Sequence, residues 1–478
     1  MALLTVADAE ALRIDQVWDL YREHVNSSQV ELQGTFAFGR DLVDSAEGCY
    51  ITLRSGRRIL DITGGIGVLN HGHNHPEIIQ ARRDFERSRR MDVHKAFFSP
   101  YTAALSANVA SLLPGDLSVS YFPNSGAEAV EGALKMAYKF HGGTRRYVMH
   151  ADISFHGKLL ATGSITGSPE QSFAFPGLEQ VDRFTYGDMT SLRAALARHT
   201  DAHGSCDVYA VIVEPLQAST VRSLTPEFLL ELRSLCTDLG IVLVFDEVYT
   251  GWGKTGHLFN FMRVPGLVPD IVTYSKSFGG GQATIAGYTA REPVARQAYD
   301  NLQDATLHTS TFNGFGEEVA TAITAVNIIV RDGLVERSAA MGERIGPRLL
   351  DLQRRHPVIA EVRGSGAFWG LILKSKVADT AARLLGRSSR LGKTGRDPQL
   401  ADKLLAGIVM DHLYREHGVL TYFGTNRDCP LFVSFPLIAG DEEIDRAVAA
   451  LDETFSRSVP RLALEFARQR RTGPKALD

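Results

Sequence analysis

The segment that decides the fold class is Ile271-Val272-Thr273-Tyr274-Ser275-Lys276-Ser277-Phe278-Gly279-Gly280-Gly281. A short apolar strand ends near Lys276, and a run of glycines follows almost at once. A lysine at the mouth of a buried strand is shielded from bulk water, which lowers the pKa of its amine. Such an amine is a candidate Schiff-base former, and this points to pyridoxal phosphate (PLP) as a cofactor. The alternative interpretation is an ordinary surface lysine beside a flexible glycine loop.

Composition and charge argue against several classes of protein. The chain has 478 residues, of which 44% are hydrophobic, so it is long enough for a large core and more than one domain. A net charge of -4 gives no reason to expect a nucleic acid or an anionic membrane as partner. The four cysteines are far apart, and their spacing predicts neither a metal site nor a disulfide framework. No apolar run approaches membrane-spanning length, and the acidic segment Met1 to Leu20 does not fit a signal or transit peptide. We therefore expect a cytoplasmic protein.

The middle of the chain predicts parallel strands joined by a helix. Val208 to Val213 and Ile241 to Phe245 are nearly unbroken apolar runs, typical of strands covered on both faces. Thr225-Pro226-Glu227 between them is a helix start signal. Because parallel strands open onto one edge of a sheet, Glu214 after the first strand and Asp246 after the second should lie close together.

Two more strands should bring polar groups to the same edge. Tyr147 to His150 precedes the segment Phe155 to Lys158, and Ile271 to Tyr274 precedes Lys276. A carboxylate such as Asp246 is commonly a helix cap or part of an ion pair. It is also the group that keeps a pyridine nitrogen protonated, and a protonated pyridine is the electron sink of PLP chemistry.

A phosphate site is predicted independently at Ser125-Gly126-Ala127. Ser125 and Glu128 fit a capping box, so one interpretation is simply a well-capped helix. The small residues after the cap also leave backbone N–H groups open to an anion at the positive end of the helix dipole.

A long signature in this chain resembles the class III aminotransferases. It comprises Phe245 to Phe259, then Pro269-Asp270-Ile271 and Ser275 to Gly281. The resemblance extends from Gly64 to Asn70 near one end to Val362 to Gly366 near the other. Two further segments, Phe155-His156-Gly157-Lys158 and His308-Thr309-Ser310-Thr311-Phe312, are similar to the putrescine, acetylornithine and 4-aminobutyrate branch of that family.

The resemblance implies an α/β protein of fold type I, the fold of PLP-dependent transferases. We expect a large domain with a mostly parallel sheet flanked by helices, and a smaller α+β domain from both chain ends. Residues 1–63 would be the N-terminal segment of the small domain, 64–332 the large PLP-binding domain, and 333–478 the C-terminal part of the small domain.

The resemblance also assigns roles around the cofactor ring. Lys276 would hold PLP as a Schiff base and move a proton between substrate and cofactor. Asp246 would pair with the pyridinium nitrogen, and Val248 would pack behind the ring. Phe155 would stack on the exposed ring face, with His156 beside it. Phe155 also fits a core position, and His156 a hydrogen-bonded loop residue.

At the phosphate end, Ser125, Gly126 and Ala127 would cradle the phosphate. Gln217 would contact the ring hydroxyl from the turn that begins at Glu214. Glu214 and Gln217 are both expected to be cofactor-binding residues. Gln217 also fits an ordinary turn residue. The order and spacing of all these residues together favour the functional interpretation.

Thr311 would reach the phosphate of a neighbouring subunit, which implies a homodimer, although Thr311 also fits a helix cap.

The implied activity is transfer of an amino group from a terminal (omega) amine or amino acid to a 2-oxo acid, in ping-pong half-reactions. Two alternatives stay open. One is a PLP-dependent epimerase or aminomutase on the same fold, and the other is a non-catalytic binding protein.

The substrate residues depart from the family pattern. Phe432 stands where many relatives have an arginine that grips an α-carboxylate and pairs with a glutamate at the position of Glu214. Phenylalanine does neither, so Glu214 is expected to be unpaired unless it attracts a substrate ammonium or meets another arginine such as Arg427. A shifted alignment in this segment is the simpler alternative.

Lys158 stands where relatives of the 4-aminobutyrate type carry a carboxylate-binding arginine. It would bind a distal carboxylate as a point charge, or it is a solvated surface lysine. The basic segment Arg387 to Arg396 is predicted to be an inserted surface loop, with an anionic or carrier-protein partner as the alternative.

Overall fold

The computed structural model describes residues 3–167, 176–376, 378–380 and 399–470. The basic segment Arg387 to Arg396 lies outside these residues. Among the helices of the described residues, none is both long and apolar enough to cross a membrane.

The strands of the described residues lie in four sheets. Their bounds are β1 Val43–Glu47, β2 Tyr50–Leu53, β3 Arg58–Asp61, β4 Leu117–Tyr121, β5 Tyr147–Ala151, β6 Val181–Phe184, β7 Val208–Val213, β8 Leu216–Gln217, β9 Arg222–Ser223, β10 Val242–Asp246, β11 Ile271–Tyr274, β12 Gly287–Arg291, β13 Ile359–Ser365, β14 Phe368–Leu373, β15 Val419–Leu420 and β16 Leu431–Ser434.

The principal α-helices are α1 Val6–Glu10, α2 Ile14–Tyr21, α3 Ser27–Gln33, α4 Gly64–Gly67, α5 Pro76–Arg87, α6 Pro100–Leu112, α7 Gly126–Phe140, α8 Leu160–Ser164, α9 Met189–Ala197, α10 Pro226–Asp238, α11 Glu292–Ala298, α12 Gly316–Arg331, α13 Leu334–Arg355, α14 Leu400–His412, α15 Asp441–Phe455 and α16 Val459–Arg470. Shorter 3-10 or π turns are Arg22–Asn26, Ala37–Arg40, Asn260–Arg263, Lys276–Gly279, Leu302–Thr306 and Leu413–His417.

The largest sheet has seven strands in the order β4-β12-β11-β10-β7-β5-β6. The five strands from β11 to β6 in this order run parallel, and β12 pairs antiparallel with both of its neighbours. Every residue of β7 and β10 is buried, as their unbroken apolar sequences predicted. The predicted α/β class, with a mostly parallel sheet flanked by helices, is confirmed.

The predicted crossover between β7 and β10 is present. Helix α10 begins at Pro226, and the Thr225 hydroxyl caps it by accepting a hydrogen bond from the Phe228 N–H at 3.2 Å. β7 and β10 are direct parallel neighbours, with Val213 opposite Phe245. Glu214 and Asp246 therefore leave the sheet side by side.

Two smaller sheets involve the ends of the chain. β15, near the C-terminus, joins β1, β2 and β3 in a four-stranded sheet. β13, β14 and β16 form a three-stranded sheet, which carries Phe432 on β16. The domain boundaries at 63/64 and 332/333 stay a prediction.

Candidate active site

A cavity of about 450 Å³ lies at the carboxyl ends of β5, β7, β10 and β11. Ten of the predicted site residues line it: Gly126, Ala127, Phe155, His156, Lys158, Glu214, Asp246, Val248, Lys276 and Phe432. Three do not, namely Ser125, Gln217 and Thr311. Parallel strands and their following loops thus bring together residues that are far apart in the sequence.

Lys276 follows β11 in a strained backbone conformation. Its φ is 52°, in the left-handed region that non-glycine residues seldom adopt. Its Nζ lies 4.4 Å from the centre of the Tyr249 ring. Burial lowers the pKa of the Lys276 amine to about 8, although Asp246 and Glu214 oppose the shift. The side chain thus presents to the cavity a reactive amine that is less basic than that of an ordinary lysine.

The glycines after Lys276 have a packing role. A Cβ on Gly280 would lie 2.4 Å from the Ile78 Cδ1, and one on Gly281 would lie 2.6 Å from the Leu69 Cδ2. Both glycines also have positive φ. Lys276 therefore sits on a closely packed turn and not on a flexible surface loop.

Asp246 is fixed by two contacts. One carboxylate oxygen lies 2.7 Å from the Nδ1 of His156, and the other accepts the Val248 N–H at 2.9 Å. The His156 side chain has no exposed surface, and its Nε2 has no hydrogen-bond partner among the described residues. The pair places a carboxylate of fixed orientation in the cavity wall.

Glu214, expected to lack a cationic partner, is hydrogen-bonded by neutral donors. It accepts hydrogen bonds from the Phe155 N–H at 2.8 Å, the Gln217 side-chain amide at 3.1 Å and the Ala218 N–H at 3.2 Å. Burial, aided by Asp246, raises its pKa to about 7, while His156 acts in the opposite sense. The three donors are all neutral, and they satisfy the carboxylate inside a buried site.

One alternative was that Arg427 contacts Glu214, and the structure shows no such contact. Arg427 donates to the Asp152 carboxylate at 3.1 Å, at the surface. Gln217 lies behind Glu214, where its side-chain oxygen accepts from the Thr220 N–H and hydroxyl at 2.8 and 2.7 Å. The ordinary turn role of Gln217 is thus evident, and its predicted contact with a cofactor hydroxyl stays a prediction.

The N-terminus of α7 opens on the cavity. The predicted serine cap is present, because the Ser125 hydroxyl accepts the Glu128 N–H at 3.3 Å. The reciprocal bond of a full capping box is replaced: the Glu128 carboxylate accepts the Asn124 N–H at 3.0 Å and the Ser125 hydroxyl at 3.0 Å. Gly126 is confined, since a Cβ there would lie 2.9 Å from the Val248 Cγ1. With Gly126 and Ala127 in the wall, this end of the cavity presents backbone N–H groups of a 15-residue helix to an anion.

Part of the cavity wall is aromatic. Phe432 is 6% exposed and lies 5.5 Å from Phe368 and 6.4 Å from Tyr422, measured between ring centres. Tyr249, Tyr422 and Phe423 also line the cavity and were not singled out from the sequence. Tyr249 falls within the signature run Phe245 to Phe259, which was the available signal for it.

Two predicted residues lie at the periphery. Lys158 lines the cavity but is exposed, so both of its interpretations remain open. Thr311 is exposed, in a turn outside its own cavity. Within the described ranges, no group of three or more His, Cys, Asp or Glu side chains is arranged to hold a metal ion.

The fold and this cavity define a PLP-dependent transferase, and sequence comparison gives the family. The family model described as "Aminotransferase class-III" matches residues 39–455, so the chain belongs to the class III aminotransferases. The protein is a PLP-dependent enzyme of amino-group transfer, as the sequence predicted. Nothing in the comparisons favours the epimerase or aminomutase alternative.

Three similar proteins illustrate the match. The putrescine aminotransferase of Pectobacterium atrosepticum is 34% identical over 372 residues, covering 76% of this chain and 78% of the relative. The acetylornithine aminotransferase 1 of Bradyrhizobium diazoefficiens is 31% identical over 366 residues, covering 75% and 86%. A transaminase of the marine bacterium Virgibacillus superposes with a TM-score of 0.79 at 22% identity, covering 95% of this chain and 99% of that one. That last likeness establishes the fold.

The residues of the cavity fit the cofactor. A confined glycine at a helix N-terminus suits a phosphate, a fixed carboxylate suits a pyridine nitrogen, and a lysine of lowered pKa suits an aldehyde.

Proposed function

We propose that the chain transfers an amino group from a terminal amine to a 2-oxo acid, with Lys276 as the residue that binds PLP covalently. The observation that carries the proposal is the amine of Lys276, which has a lowered pKa and shares one cavity with the fixed carboxylate of Asp246. This combination supplies a nucleophile and the partner of a pyridine nitrogen in a single site.

Asp246 and Lys276 have distinct roles in the proposed reaction. Bound PLP supplies an electron sink, which delocalises the negative charge left when a carbon beside the nitrogen loses its proton. Asp246, oriented by His156 and the Val248 N–H, holds a proton on the pyridine nitrogen. Lys276, once its amine is released, accepts and returns a proton at Nζ as a general base. The half-buried position of Lys276 limits competition from water.

We propose separate residues for holding the phosphate and the ring of the cofactor. Gly126 and Ala127 would hold the phosphate with backbone N–H groups, and Ser125 would act through the helix cap. Phe155 and Val248 would contact the two faces of the ring. Gln217 would act by orienting Glu214, with which it shares a hydrogen bond.

The assembly is proposed from the position of Thr311. Thr311 is exposed and outside its own cavity, so it can complete a phosphate site only in a second copy of the chain. We infer a homodimer on this basis, and the mass in solution by light scattering is its test. A monomer of full activity would contradict it. The cytoplasmic location stays the expectation drawn from the sequence.

The donor is proposed to be a terminal amine because the cavity wall has Phe432 where an arginine would grip an α-carboxylate. The names of the two relatives, putrescine and acetylornithine aminotransferase, support this class of donor.

Absorbance of the bound cofactor tests the reaction. Mixing the PLP-loaded protein with a terminal amine should remove the visible band of lysine-bound PLP, and adding a 2-oxo acid should restore it. Retention of the band with every amine tried, together with isomerised product, would overturn amino transfer.

Replacing Gly126 with alanine is expected to weaken PLP binding about tenfold or more, because the new Cβ would crowd Val248 at 2.9 Å and displace the phosphate end. Titration of the PLP-free protein with PLP measures the dissociation constant. Gly163→Ala is a matched control, since a Cβ at Gly163 meets nothing within 4 Å. Equal affinities of the two variants would contradict the assigned phosphate position.

Capture of PLP by the PLP-free protein should depend on pH. Only the neutral amine of Lys276 attacks an aldehyde, so protonation slows capture as pH falls below the pKa of about 8. We expect the rate to rise with pH through a midpoint near pH 8 and to level off above it, whereas an ordinary lysine would have its midpoint near 10.5. Stopped-flow absorbance measures this rate, and a rate still climbing at about pH 10 would mean an unperturbed amine.

A further inference from the structure

Lys276 places its amine over the face of an aromatic ring. The Nζ lies 4.4 Å from the centre of the Tyr249 ring, which is within the range of a cation–π contact. In the described part of the chain, this Nζ forms neither an ion pair nor a hydrogen bond. The Tyr249 ring is therefore the direct contact that favours a positive charge on the amine.

The position of the Tyr249 ring is set by packing. A Cβ on Gly67 would lie 3.0 Å from both Cε2 and Cζ of the ring, so a glycine there gives the ring its room. On another side, Phe368 packs against Tyr249 with ring centres 4.7 Å apart. The Tyr249 hydroxyl makes only a long hydrogen bond, to the Ser434 Oγ at 3.5 Å. The ring face, and not the hydroxyl, is thus the part that the structure fixes against Lys276.

The ring stays neutral while the amine beside it changes charge. Burial raises the pKa of the Tyr249 hydroxyl, so no phenolate forms in the range where Lys276 titrates. Asp246 and Glu214 also favour the ammonium through space, and Lys254 is a like charge that interacts with it. These three groups remain when the ring is replaced, so the effect of the ring alone can be measured.

Resting on the proposed function, we propose that Tyr249 is a positioning residue for Lys276, whose ring face receives the ammonium that forms each time the released amine takes up a proton. In the donor half-reaction the amine takes the proton that leaves the reacting carbon, and the C–H electron pair stays behind to be delocalised into the cofactor ring. The ammonium then passes the same proton to the cofactor, so the proton count balances.

A ring face suits this task better than an acidic side chain would. It attracts the ammonium but offers no lone pair that competes for the proton. A carboxylate in direct contact would hold the ammonium by a charge-assisted hydrogen bond and so oppose return of the proton. The competing interpretation is that Tyr249 only fills the cavity wall, in which case any apolar side chain of similar size would serve.

Capture of PLP by the PLP-free protein separates the two interpretations. Tyr249→Leu keeps an apolar side chain but removes the ring, so the ammonium of Lys276 loses its contact and the pH midpoint of capture should fall by about 0.5 to 1 unit. Tyr249→Phe keeps the ring face and should retain the wild-type midpoint. Water entering beside a smaller side chain would move the midpoint upwards instead. An unchanged or higher midpoint in Tyr249→Leu would overturn the proposal.

Tyr50→Leu is the matched control. Tyr50 also has a cation over its ring, since the Arg58 Cζ lies 4.2 Å from the ring centre, but it is on β2 and outside the cavity lining. Its replacement should leave the midpoint of capture unchanged, and a fall equal to that in Tyr249→Leu would contradict a direct role of the Tyr249 ring. If Tyr249→Leu does not fold, Tyr249→Met gives the same comparison, because methionine also fills the space without a ring.

A single turnover of the PLP-loaded enzyme gives the second readout. With a terminal amine, the visible band of lysine-bound PLP should disappear about two- to fivefold more slowly in Tyr249→Leu than in wild type, and at the wild-type rate in Tyr249→Phe. A wild-type rate in Tyr249→Leu would also overturn the proposal. If wild type transfers amino groups and Tyr249→Leu matches it in both measurements, this inference alone fails. If no amine alters the cofactor spectrum of wild type, the proposed function fails and this inference with it.

Discussion

Lys276→Ala is expected to lower kcat/KM for amino transfer by at least about 10³-fold. The variant loses both the covalent attachment and the general base, because a single amine performs the two tasks. PLP should still bind through the helix N-terminus at Gly126, so the loss should appear in turnover more than in cofactor content. Steady-state rates and the PLP content of the purified variant measure the two effects.

Lys374→Ala is the matched control for that experiment. Lys374 is 56% exposed and pairs with Asp402 at 2.6 Å, away from the cavity lining. Its replacement should leave turnover within a few-fold of wild type. Turnover near the wild-type rate in Lys276→Ala would refute the role of Lys276.

Asp246→Asn is expected to lower kcat/KM by about 10²- to 10³-fold. The carboxamide is neutral, so it no longer stabilises a proton on the pyridine nitrogen, and the electron sink weakens. The substitution is nearly isosteric, and its side-chain oxygen still accepts a hydrogen bond, so the fold and the position of His156 should change little. Steady-state kinetics measure the loss.

The neighbouring residue Glu247 provides the comparison. It is also a buried carboxylate, and burial raises its pKa to about 7, but it accepts the Phe261 N–H at 2.7 Å and lies outside the cavity lining. Glu247→Gln should therefore affect stability more than chemistry. A kcat in Glu247→Gln as low as that in Asp246→Asn would show that losing a carboxylate at this strand end lowers activity by disturbing the fold.

The large sheet could be predicted because its strands carry their own signal. β7 and β10 are buried on both faces, so their sequences are almost entirely apolar, and the polar residue after each marks the edge of the sheet. The helix cap at Ser125 was similarly local, since the hydroxyl and the N–H that it accepts are three residues apart.

The surroundings of Glu214 could not be predicted in the same way. Its strongest contact is the backbone N–H of Phe155, from a loop that the sheet brings to it across 59 positions of sequence. A backbone donor leaves no trace in residue identity, so the sequence could not show that neutral donors would hydrogen-bond this carboxylate. Tyr422 was missed for a related reason, because its place in the wall depends on how the loop before β16 folds back on the sheet.

The sequence also does not separate two lysines that the fold buries near the same site. Lys254 is fully buried and donates to the Phe435 carbonyl at 3.0 Å, and burial lowers its pKa to about 7. A low pKa therefore does not by itself identify the cofactor lysine. Lys276 differs because it lines the cavity, whereas Lys254 does not.

The attachment point of PLP is the most direct test of the central claim. Reducing the PLP-loaded protein with borohydride converts the Schiff base into a stable amine, and mass spectrometry of a digest then locates the modified lysine. We predict that the label is found on the peptide containing Lys276. A label on Lys254 or Lys158 in its place would contradict the assignment.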